Sequence, residues 1–141
     1  MILGVALDPA LRTAFFTPRD WARLEALADI RLLPQPDDCV APANRAVLSV
    51  AEGLLTGWGC PPLTPALLDW CPALKLLVHT GGSVRAFVGP AVYARGILVA
   101  SQTERNAEPV AEFCLAQILL AAKGVGRASR AYATTAIPIP Y

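Results

Sequence analysis

Five short apolar runs limit how this chain can fold. They occupy residues 2–7, 29–33, 53–56, 74–79 and 97–100. Each is short enough for a strand, and most are too continuously apolar to leave one sheet face in water. Near-continuous apolar strands imply burial on both faces, the pattern of a parallel sheet. The segments between them have helical spacing. Trp21, Leu24, Leu27 and Ala28 fall on one face of a predicted helix over 18–28, with Thr17 as its cap and Pro18 in its first turn. A short helix is predicted over 45–51 after a loop at 37–43, another over 64–70 with Thr64 as cap and Pro65 first, and a turn or two over 91–95 ended by Gly96.

Strands alternating with helices give an α/β chain with helices on both faces of the sheet. With five strands, the expected architecture is a flavodoxin-like, doubly wound parallel sheet that binds ligands at the carboxyl ends of its strands. The most apolar stretch comes after the fifth strand. A polar loop is expected through Asn106, then a long helix over 108–123 with Pro109 in its first turn. Residues 110–122 are apolar on nearly every face, so this helix must pack against something on two sides. After it, Gly124-Val-Gly126 and the prolines of the last residues suggest a linker or frayed tail over 124–141.

Composition excludes several functions. The net charge is +1, which gives no electrostatic footprint for nucleic acid or an anionic membrane. No apolar run reaches the roughly 18 residues needed to span a bilayer. The first residues lack a basic leader and enter a strand pattern at once, so no signal peptide is expected. The four cysteines form no Cys-x-x-Cys pair and there is one histidine, which argues against a metal centre or a disulfide framework. Reduced thiols point to a cytoplasmic protein.

Three loops at strand ends could carry chemistry. They are Thr56-Gly-Trp-Gly-Cys-Pro-Pro62, His79-Thr-Gly-Gly-Ser-Val-Arg85 and Ser101-Gln-Thr-Glu-Arg-Asn106. Gly81 and Gly82 allow a tight turn that exposes successive N–H groups and suits a carboxylate. Asn106 adds an amide donor, and Trp58 can wall the pocket. Gly57 and Gly59 serve either this pocket or a plain turn. Neither glycine pattern reads as a dinucleotide fingerprint. Pro61 and Pro62 remove donors from the first, and Gly124-Val-Gly126 comes after a helix instead of a strand. His79, at the end of an apolar strand with no carboxylate near it in sequence, fits a pocket edge better than an acid–base role. Asp8 lacks the acidic neighbours a metal-dependent phosphoacceptor needs. Cys60 and Cys114 read as small apolar fillers.

Three segments together resemble the D-isomer-specific 2-hydroxyacid dehydrogenases. These are Gly57-Trp-Gly-Cys-Pro-Pro-Leu63, Val78-His-Thr-Gly-Gly-Ser-Val-Arg85 and, above all, Asn106-Ala-Glu-Pro-Val-Ala-Glu112, which is similar to the family's Asn-x-x-x-Val-Ala-Glu segment. In the family's Gly-x-Gly-x-Asp loop, Thr80 stands at the first Gly and Val84 at the Asp, while Gly82 keeps the second Gly. The resemblance covers about residues 1–130. It implies that residues 1–123 are a substrate-binding domain with helix 108–123 as its connector. A Rossmann cofactor domain, in cis or in trans, would bind NAD or NADP. That domain and the family's catalytic Arg, Glu and His have no counterpart in this sequence, so no catalytic, cofactor-binding or metal residue is assigned here.

By the same resemblance, a small 2-oxo or 2-hydroxy acid would be held by Gly57, Trp58, Thr80, Gly81, Gly82, Ser83 and Asn106. The activity implied is hydride transfer between 2-hydroxy and 2-oxo acids, with the isolated chain inactive and a homodimer possible. The alternative is a non-catalytic interaction module that uses the apolar face of helix 108–123.

Overall fold

The computed structural model describes residues 1–135. The prolines expected to end the last helix lie outside the described residues. The chain divides into two compact units, the first spanning Met1–Thr103 and the second beginning at Glu104.

In the first unit, β1 (Ile2–Ala6), β2 (Asp29–Leu32), β3 (Gly53–Thr56), β4 (Leu76–His79) and β5 (Leu98–Ser101) form one sheet in the order β2-β1-β3-β4-β5, with every pair parallel. This is the flavodoxin-like order. The chain steps from β1 to β2 on one side and returns to β3 on the other, so the switch point lies between β1 and β3. The helices are α1 (Pro9–Phe15), α2 (Pro18–Leu27), α3 (Arg45–Leu48), α4 (Pro65–Leu68) and α5 (Pro90–Ala94). Consecutive residues of β3 show how the two faces are covered. Leu54 packs with Leu48, Leu67, Leu68 and Val92, from α3, α4 and α5. Leu55 packs with Leu3, Val5, Trp21 and Leu24, the last two from α2. Burial on both faces holds for β1 and β3. The edge strands differ from that expectation: three of the four residues of β2 and two of β5 are exposed, because an edge strand has a neighbour on one side only.

Caps at the helix starts account for the boundaries. Thr17 accepts a hydrogen bond from the Asp20 N–H at 3.2 Å, and the Asp20 carboxylate accepts from the Thr17 N–H at 3.3 Å, closing a capping box. Thr64 caps α4 through the Leu67 N–H. α1 has no counterpart among the helices expected from sequence. Asp8 starts it by accepting from the N–H groups of Ala10 at 2.7 Å and Leu11 at 3.0 Å, with Pro9 in the first turn. The loop predicted over 37–43 is held by buried Asn44, which accepts from the Gln35 N–H at 2.9 Å. It donates to the carbonyls of Gln35 and Asp38, both at 2.8 Å.

The second unit consists of α6 (Thr103–Ala122, its first residue shared with the sheet unit) and α7 (Val125–Thr135). Two expectations are corrected here. The long helix begins at Thr103, so Asn106 is helical and Pro109 lies inside the helix instead of in its first turn. The proline loses one backbone hydrogen bond, a cost of about 3 kcal/mol. In the turn before it, Arg105 and Glu108 pair at 4.0 Å. Gly124, at φ 67°, does break the helix. The residues after that break form α7 and not a linker. The N-terminal turn of α7 is closed by the Arg127 and Ala128 N–H groups donating to the Gly124 carbonyl at 3.0 Å. Among the described residues no single helix is long and apolar enough to cross a membrane. The α6–α7 pair that passes on length and composition is bent by 59°.

Candidate functional site

The carboxyl ends of β3, β4 and β5 are in register, with Thr56 beside His79 and His79 beside Ser101. The loops beyond them meet at one end of the sheet. Thr80 continues the ladder past β4, its N–H donating to the Thr56 carbonyl at 2.9 Å and its hydroxyl to the same oxygen at 3.1 Å. The next two carbonyls are also occupied. Gly81 accepts from the Gln102 N–H at 2.9 Å, and Gly82 from the Thr103 hydroxyl at 2.9 Å, which in turn lies 2.9 Å from the Ser101 hydroxyl.

The amides of this loop are in the opposite condition. The N–H groups of Gly81, Gly82, Ser83 and Val84 have no hydrogen-bond partner among the described residues. With its first two carbonyls tied to the β5 end and four successive amides unmatched, the loop offers donors and few acceptors. That is the chemistry of an anion site. The Ser83 hydroxyl accepts from the Arg85 N–H at 3.3 Å and keeps its own proton free for a ligand.

The glycines act differently from their expected roles. Gly81 and Gly82 do not adopt positive φ. Gly81 is needed for close approach: a Cβ there would lie 2.7 Å from His79 Nε2 and 2.9 Å from Trp58 Nε1. Gly57 is similarly confined, since a Cβ would meet Leu7 Cδ2 at 2.4 Å and lie 3.4 Å from the Thr80 hydroxyl. Gly59 is the conformational glycine, at φ 85° with open space around it. Trp58 is 65% exposed and meets Phe15 edge-on, with centroids 5.2 Å apart. Beside it a cavity of about 370 Å³ is lined by Phe15, Phe16, Leu24, Leu55, Val78, Thr80 and Gln102.

The structure therefore brings Gly57, Trp58, Thr80 and Gly81 together and continues them into Gly82 and Ser83. Asn106 lies on α6, in the other unit. Sequence reasoning places His79 at a pocket edge but misses its partner. Only 3% of it is exposed, its Nδ1 lies 3.0 Å from the Thr56 hydroxyl, and its ring packs against Phe87 with centroids 4.7 Å apart. Burial holds its pKa below the usual value, which favours the neutral ring. The signal that could have found it is the strand pairing that sets Thr56 beside it.

Cys71 and Cys60 are poor nucleophiles. Burial pushes the Cys71 thiol up to about 11. Cys60 is raised as well, through its hydrogen bond with Cys39 and its burial. Cys60 fills space beside the core, as expected, whereas Cys114 is exposed on α6 and fills nothing. No group of three or more metal-ligating side chains is gathered among the described residues. A dinucleotide does not fit the glycine turn after β3. Pro61 and Pro62 remove two amides there, and the helix beyond the turn has four residues.

No protein-family model matches the chain, and no curated protein matches it. Solved structures do match. A phosphoglycerate oxidoreductase from Rhizobium etli is 23% identical with a TM-score of 0.71, covering 99% of this chain and 42% of its own. A D-lactate dehydrogenase from Aquifex aeolicus, complexed with NAD and lactic acid, is 20% identical with a TM-score of 0.67, covering 100% of this chain and 39% of its own. A 2-hydroxyacid dehydrogenase from Ketogulonicigenium vulgare Y25 is 23% identical with a TM-score of 0.61, covering 98% of this chain and 42% of its own. The chain has the fold of part of a dehydrogenase. It spans about two-fifths of the length of these proteins.

Proposed function

We propose that this chain is the substrate-binding domain of an NAD(P)-dependent D-2-hydroxyacid dehydrogenase. The observation that carries the proposal is the loop after β4, whose four unmatched amides suit the carboxylate of a small 2-oxo or 2-hydroxy acid. The shared fold and the Asn106–Glu112 segment support it. In this reading Gly81, Gly82 and Ser83 hold the carboxylate, Gly57 and Thr80 shape the floor, and Trp58 forms the wall. Asn106 contributes its amide, a role that rests on the sequence resemblance.

Hydride transfer needs a bound nicotinamide and a group that moves a proton at the substrate oxygen. We assign both to a Rossmann cofactor domain in cis or in trans, and expect this chain to bind substrate but not to turn it over alone. The apolar side chains of α6, with Phe113 and Ile118 the most exposed, form the surface proposed for that partner or for a second copy.

The test is amide NMR of the 141-residue chain titrated with glyoxylate or pyruvate, and then with NADH. Shifts at Gly81–Val84 with the oxo acid, weakened in Asn106→Ala, and none with NADH are the expected result. A clear response to NADH would overturn the assignment of the cofactor site elsewhere. Silence toward both would favour a non-catalytic interaction module acting through α6.

A further inference from the structure

The fold buries a titratable ring directly against the candidate loop. His79 ends β4 and is 3% exposed, two residues before the first unmatched amide. Its Nε2 packs tightly on Gly81, where a Cβ would come within 2.7 Å of it. That contact leaves no room for a ligand atom between ring and loop. The ring can act on the loop only through its charge.

The surroundings accommodate both protonation states. The Thr56 hydroxyl donates to the Val78 carbonyl at 3.4 Å and lies 3.0 Å from His79 Nδ1. With its own proton on that carbonyl, it accepts from Nδ1–H, and this bond is the same in the neutral and the charged ring. A second proton then goes to Nε2, the nitrogen against Gly81. Nε2 has no hydrogen-bond partner among the described residues, and no fully buried side-chain nitrogen among them lacks one, so it keeps the contact with solvent that proton exchange needs. Burial is what disfavours the charged ring. An anion on the adjoining amides would supply the counter-charge that the protein withholds, and in a water-poor site such an attraction is stronger than on an exposed surface.

We propose that proton binding at His79 and anion binding at the β4 loop are linked: a carboxylate held by Gly81–Val84 draws a proton onto the ring, and the site tightens as pH falls. The proposal rests on the carboxylate reading of the loop. The coupling is reciprocal, so whatever the anion adds to proton affinity the proton adds to anion affinity. The bound chain keeps the His79 proton to higher pH than the free chain. Affinity therefore rises as pH falls from the bound midpoint to the free one, and is flat outside that interval.

The elements around the ring bring few charged groups. β3 offers Thr56 and β5 offers Ser101. The loop after β3 brings Trp58 and Cys60, whose thiol is raised by burial and by its bond to Cys39. The β4 loop brings Phe87 and Arg85. Asp8, past the end of β1, faces the amides of Ala10 and Leu11.

His79 is the only histidine in the chain, so its ring resonances need no sorting from others. The experiment follows them by NMR of the full chain from pH 8 to pH 5, alone and then with saturating pyruvate, in buffers free of small oxyanions. The titration midpoint is expected to move up with pyruvate while the amides of Gly81–Val84 shift. Affinity for pyruvate should rise about tenfold from pH 8 to pH 5, an ordinary size for coupling between two sites. His79→Gln should show the same affinity at both. If that variant fails to fold, the wild-type midpoint decides alone. The direction of its movement separates charge from packing, because a ligand that merely covered the ring would bury it further and move the midpoint down.

Loop shifts with an unmoved or lowered midpoint would overturn the proposal and leave the carboxylate reading intact. A rise in affinity that survives in His79→Gln would overturn it too, by giving the linkage to another group. If pyruvate moves neither the loop nor the ring, the carboxylate reading falls, and this proposal with it.

Discussion

The loops after β3 and β4 look alike in sequence, each with two glycines just past an apolar strand, yet the structure uses them differently. In the β3 loop, Gly57 is pressed against the core at Leu7 and Gly59 takes the left-handed conformation, so one glycine serves packing and the other serves the turn. In the β4 loop neither glycine is left-handed, and Gly81 serves the close approach of His79 and Trp58 to the backbone. The comparison teaches that glycine spacing marks tight places without saying whether a turn, a core contact or a ligand makes them tight. The neighbours decide.

The sharpest way to break the comparison is Gly57→Ala. Leu7 is buried and cannot swing away, so the added methyl overpacks the core and should cost about 2–3 kcal/mol, read as a lower denaturation midpoint. The same substitution at Gly81 meets Trp58, which is largely exposed and free to move, together with the His79 ring edge. It should cost less stability than Gly57→Ala and should abolish oxo-acid shifts at the loop.

Thr56→Val joins the two loops in one test. It removes the hydroxyl beside His79 Nδ1 and leaves a buried nitrogen unmatched, for an expected loss of about 1–2 kcal/mol by urea unfolding. Gly59→Ala meets no neighbour, and its cost is that of an L-residue at φ 85°, about 1 kcal/mol, with no change at the β4 loop in an NMR spectrum.

The smallest effect is a slope. Burial lowers the pKa of His79 in the folded chain below its ordinary value of 6.5. Above both values neither state is protonated and the ring adds no pH dependence. As pH falls through about 6.5 the unfolded chain takes the proton first, so stability declines until the folded-state value is passed. Unfolding free energy measured between pH 7.5 and 5.5 should show this decline in wild type and lose it in His79→Phe.

Much of the fold is legible because its signals are local. β3 matches the predicted run residue for residue, and Thr17 and Thr64 cap the helices assigned to them. The failures have physical reasons. α1 escapes the sequence pattern because Asp8-Pro9 serves equally well as the end of a strand and as a helix cap with a first-turn proline. Residues 103–108 resemble a loop because they are polar. Polarity measures exposure, and an exposed helix tolerates it as well as a loop does.

Glycines mark the candidate loop in the sequence, but the reason it suits an anion is not visible there. That reason depends on which carbonyls Gln102 and Thr103 occupy, a matter of tertiary pairing. His79 has no carboxylate near it in sequence, and its actual partners, Thr56 and Phe87, come from another strand and the loop beyond β4.

The imbalance in the β4 loop, with four amides open and the carbonyls of Gly81 and Gly82 engaged, has a practical side. A row of backbone donors ranks small anions weakly, because each oxyanion finds much the same hydrogen bonds. On the proposed reading, acetate, formate and sulfate are then competitors for the loop and not inert buffer components. Affinities measured in them will understate the true ones, and the extent of that competition is itself a titration of the site.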